Sequence, residues 1–112
     1  MILALALAAQ QPPQPPQQQA FEVAMGAFIG CMRATVQMGM TTRMAPAEFQ
    51  AGFARACHAE EARFREEAVR FATASGWTEE RARAEVETNV ANSRRAFAAD
   101  QESYVRTGVV PR

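Results

Sequence analysis

From Ala20 onward, apolar residues recur at steps of three and four. Phe21, Met25, Phe28, Met32 and Val36 fall on one side of a helix, and the spacing predicts a first helix over about 20–40. Gly26 and Gly30 interrupt it, which suits either close approach of another helix or simple tolerance. Residues 41–45 break the pattern, and Pro46 is well placed to start a second helix, with Glu48 in its first turn. Phe49, Phe53, Cys57, Phe64 and Phe71 share a stripe on this helix, which is predicted to run over about 46–75 and stop at Gly76. Thr78 is a good N-cap for a third helix over about 78–106, where Trp77 can pack on Ala82. Its inward side is Ala82, Val86, Val90, Phe97 and Tyr104, and Gly108 and Pro111 mark its end. No period-two run or hairpin signal occurs. The expected fold is all-α, a small antiparallel three-helix bundle.

Helix register follows from the turns. An antiparallel pair turning near Met44 places Cys31 and Cys57 at the same level, one on each side of the turn and each near its apolar face. A disulfide between helices one and two is therefore expected. It closes a loop of about 26 residues and should contribute roughly 3.5 kcal/mol on the chain-entropy account. The same register brings Glu60 inward opposite Ser93 and Glu67 inward opposite Val86. These carboxylates either sit at the rim, reaching water or a neighbouring Arg, or line a small polar pocket formed by Glu60, Glu67 and Ser93.

The residues before Ala20 are of a different kind. MILALALAA, residues 1–9, is a short apolar run ending in small residues, as in a signal peptide, and is too short to span a membrane. QQPPQPPQQQ, residues 10–19, has nothing to bury and is expected to be a disordered spacer, leaving 20–112 as the helical domain. Export and a cysteine pair together point to a periplasmic or secreted protein. The 12 cations, all Arg, balance 12 acids, so no net field draws in nucleic acid.

One stretch looks chemical. ARACHAEEARFREEA, residues 54–68, holds a thiol, an imidazole and four carboxylates. On a helix, adjacent residues point about 100° apart, so Cys57 turns inward while His58 turns outward. They cannot form a nucleophile–base pair, and His58 with Glu61 does not complete a zinc set. Glu61, Arg65, Glu66 and Arg70 read as solvent-facing ion pairs. No catalytic residue and no cofactor is implied, and the chain is not expected to be an enzyme. Met38, Met40 and Met44 could supply soft ligands to Cu(I) if they converged, although such residues more often serve as adaptable core. Two functional expectations result. The first is a non-catalytic interaction or accessory protein of the bacterial envelope, binding a protein partner or itself through a helical face. The alternative is a Cu(I)-binding or redox-responsive protein using the methionines and thiols.

Overall fold

The computed structural model describes residues 15–111. Among them the chain is entirely helical, with four helices: α1, Pro16–Thr41; α2, Pro46–Arg55; α3, His58–Ala74; and α4, Glu79–Thr107. The all-α expectation holds, and the count of three does not. The expected second helix is two helices, because the chain leaves helical geometry at Ala56 (φ −79°, ψ 152°) and Cys57 (φ 66°, ψ 27°). Helix α1 starts earlier than expected, since Pro16 fits its first position and the Pro15 carbonyl accepts from the Gln18 and Gln19 amides. Residues 16–19 thus belong to a helix rather than to the spacer. Residues 1–9, expected to be a signal peptide, and most of the expected spacer lie outside the described residues.

The helix ends follow their sequence signals. Thr78 accepts a hydrogen bond from the Arg81 amide (3.2 Å), and Glu79 and Glu80 lie in the first turn of α4. Gly108 closes α4 at φ 73°, donating to the Tyr104 carbonyl. Trp77 lies under the Arg81 guanidinium, 4.1 Å from the ring centre.

The core joins Phe28, Met32 and Val36 of α1, Phe49 and Phe53 of α2, Phe64 and Ala68 of α3, and Val86 and Val90 of α4. Burying each phenylalanine contributes about 1.5–3 kcal/mol. Phe28 meets Phe64 (5.5 Å between ring centres), and Phe21 stacks on Phe71 (5.2 Å). A continuous second helix would have set Phe28 against Glu60 and Phe21 against Glu67. The observed partners lie about one turn later, so the break at Cys57 brings rings to the levels where carboxylates were expected.

Two features, one polar and one steric, hold α2 in place. Gln101 of α4 is fully buried and donates from Nε2 to the Met44 carbonyl (2.8 Å), tying α4 to the α1–α2 turn, while its Oε1 is buried without a hydrogen-bond partner. Gly39 lets Phe49 approach α1, because a Cβ there would lie 2.6 Å from Phe49 Cδ2. Overpacking of this kind costs about 1–3 kcal/mol, which outweighs the gain of up to about 1 kcal/mol in helix propensity. Gly39→Ala should therefore lower the urea midpoint, whereas Gly30→Ala, where the added Cβ meets nothing within 4 Å, should raise it.

Candidate functional site

The break between α2 and α3 is built around Arg94 of α4. Its Nη1 donates to the Phe53 carbonyl (2.8 Å) and its Nη2 to the Ala56 carbonyl (2.7 Å), capping the end of α2. Its Nε donates to Glu61 Oε1 (2.6 Å), and its guanidinium lies 5.4 Å from the Phe53 ring centre and 5.6 Å from that of Phe28. Arg65 holds the other oxygen of Glu61 and reaches on to Glu87. Glu61, expected on the solvent face, is buried at 7% exposure. The left-handed Cys57 restarts the helix with a new phase, and that turns Glu61 inward. Burial pushes its pKa up, but the bonds and charges of Arg94 and then Arg65 outweigh this and hold it below the ordinary 4.5. With a guanidinium on each oxygen, this carboxylate serves as a structural anchor and not as a base.

Cys31 and Cys57 are at disulfide distance (Sγ–Sγ 2.08 Å, Cα–Cα 5.9 Å), at a sequence separation of 26. The expected pairing is present, but it does not join two helices. It ties α1 to the α2–α3 junction, because Cys57 lies in the break. Thr35 Oγ1 lies 3.8 Å from Cys57 Sγ. His58, first in α3, is exposed, whereas Cys57 beside it is buried in the disulfide. The stretch from 54 to 68 is a helix junction with a staple and an ion cluster.

Beside the staple, α1 and α2 diverge. Cys31, Ala34, Thr35 and Met38 form one wall of a groove of about 440 Å³, and Met44, Phe49, Gly52 and Phe53 form the other. Thr35 supplies the one side-chain hydroxyl in this lining, and Met38 stands 63% exposed at the edge. The three methionines considered as Cu(I) ligands are divided. Met38 and Met44 border this groove, whereas Met40 borders a different hollow with Phe97, Val110 and Pro111. Among the described residues, no three of His, Cys, Asp and Glu come together to hold a metal.

The carboxylates singled out in the sequence, Glu60 and Glu67, are both partly buried. Glu67 accepts from Arg70 Nη1 (3.3 Å), while Glu60 and Ser93 are half-buried. A wider depression of about 830 Å³ lies between α3 and α4, where Arg65, Arg70 and Arg83 are each paired with carboxylates. Its charges are balanced, which leaves no net field for an anion. Among the described residues, no helix is long and apolar enough to cross a membrane. No family model, curated protein or solved structure matches the chain.

Proposed function

We propose that this chain is a small exported helical protein of the bacterial envelope with a non-catalytic, accessory role, acting by binding a protein through the groove between α1 and α2. The observation that carries the reading is the groove itself. It is apolar, it opens beside the staple that fixes its walls, and flexible Met38 and Met44 at its border can adapt to a partner's side chains. The apolar segment 1–9 and the cysteine pair support export, since such pairs persist in oxidising compartments. Gly52 and Met38 are exposed, so Gly52→Arg and Met38→Glu alter the groove without touching the core. Tagged wild type and the two variants, each recovered from the envelope of producing cells, should differ in one respect: proteins retained by wild type are lost from both variants. An identical retained set for all three would refute the groove as the binding surface.

A further inference from the structure

Two glycines of α1 have no explanation within the chain. Gly26 and Gly30 are exposed, a Cβ on either would meet nothing within 4 Å, and neither has a positive φ. They differ in this from Gly39, which Phe49 requires. Glycine in a helix interior weakens it relative to alanine, so nothing intramolecular offsets their presence.

The face that carries them is unlike the outer surface of α3. The 26 residues of α1 include two charged side chains, Glu22 and Arg33, whereas seven acids and arginines lie along the 17 residues of α3. Glu22, Gly26, Gly30 and Arg33 follow one another at steps of four, four and three, which return to nearly the same direction on a helix. All four are exposed, with Ala27 and Ala34 exposed alongside. The line reads acid, glycine, glycine, base. Turned end for end, it is its own complement.

We propose that this face binds a second copy of the chain, with α1 crossing α1 antiparallel about a two-fold axis midway between Gly26 and Gly30. Gly26 of each copy then faces Gly30 of the other, and the absence of side chains lets the backbones approach closely. At each end Glu22 meets Arg33 of the other copy, which gives two equivalent ion pairs across an isologous contact. Charge decides the direction, because a parallel crossing would set Glu22 against Glu22 and Arg33 against Arg33. Within its own chain Glu22 accepts from Gln18 Nε2 (3.3 Å). The contact covers about three turns of helix and falls at or below the ~1,200 Å² that marks the low end of specific interfaces, so a micromolar dissociation constant is expected. This inference rests on the interaction-protein reading but centres on a different stretch of surface. Loss of dimerisation with retained groove binding, or the reverse, tells the two apart.

Sedimentation equilibrium of the disulfide-bonded chain over roughly 1–500 µM tests it. Wild type should pass from monomer to dimer in that range. Gly26→Leu/Gly30→Leu should remain monomeric with undiminished helicity, since the added side chains have room within the chain. Glu22→Arg should raise the dissociation constant about tenfold, and Glu22→Arg/Arg33→Glu should return it to within about threefold of wild type. The proposal is overturned if wild type stays monomeric throughout or if the leucine variant dimerises as wild type does. It is equally overturned if the double charge variant is no tighter than the single one.

Discussion

Arg94→Ala should destabilise the chain by about 3–5 kcal/mol, the usual consequence of leaving one member of a buried ion pair without its partner. Glu61 remains inside with one guanidinium instead of two, the Ala56 carbonyl at the end of α2 loses its side-chain donor, and the Phe53 carbonyl loses one donor while keeping the Ala56 amide. The loss should be evident in urea unfolding at neutral pH. It should be smaller in Glu61→Leu/Arg94→Met, where no charge is left buried, although the uncapped carbonyls keep that variant below wild type. The acid dependence has a definite sign. Because Arg94 and Arg65 hold the folded pKa of Glu61 below its ordinary 4.5, its contribution is fully present above about pH 4.5 and is lost as pH falls through the folded value. The gap between wild type and Arg94→Ala should accordingly be widest near neutrality and narrow in acid, leaving the part due to carbonyl capping. A gap constant from pH 7 to pH 3 would exclude the ion pair as its main source.

The second large effect concerns the staple. Cys31→Ala/Cys57→Ala should lose roughly 3.5 kcal/mol, because the 26-residue loop is no longer closed in the unfolded chain. A domain of this size has about 5–15 kcal/mol in total, so the variant should be close to its folding threshold at 37 °C. Part of the remaining cost is conformational, since Cys57 sits at φ 66°, where a β-carbon is unfavourable. Cys31→Ala/Cys57→Gly should therefore be the more stable of the two disulfide-free variants by about 1 kcal/mol. Urea titrations of the three proteins without reductant, with wild type repeated after full reduction, check the order. Equal stability of the two variants would mean that the junction relaxes once the sulfurs part.

Local signals in the sequence specify most helix ends. Pro46, Thr78 and Gly108 act on the nearest backbone groups, and the structure uses each of them accordingly. The cysteine pairing was legible for a related reason, since antiparallel register about a short turn is simple geometry. The break at Ala56–Cys57 was not, because the local run after Gly52, FARACHAEEARF, holds no glycine or proline to end a helix. The hydrogen bonds that offset the interruption come from Arg94, 38 and 41 residues away. One signal for it existed. Arg94 stands four residues after Val90 and three before Phe97, an inward position at which a guanidinium demands partners. The same break turned Glu61 inward, and reading residues 46–75 as one helix left that carboxylate on the outer face. Gln101 was missed because one amide at a single inward position leaves no periodic trace. The methionines were legible as residues near one turn. Which of them converge depended on the α1 wheel, and Met40 points away from Met38 and Met44.

The distant origin of the Arg94 bonds also orders events in time. As the chain emerges from its N-terminus, residues 46–74 are complete before α4 exists, and their own preference is for uninterrupted helix. Cys57 then has no reason to enter the left-handed region that it occupies opposite Cys31. Only when α4 docks and Arg94 takes up the Phe53 and Ala56 carbonyls does the bend become the favoured geometry. With two cysteines in the chain the pairing has no intrachain alternative, so the docking of α4 bears on the backbone geometry at Cys57 and not on the choice of partner.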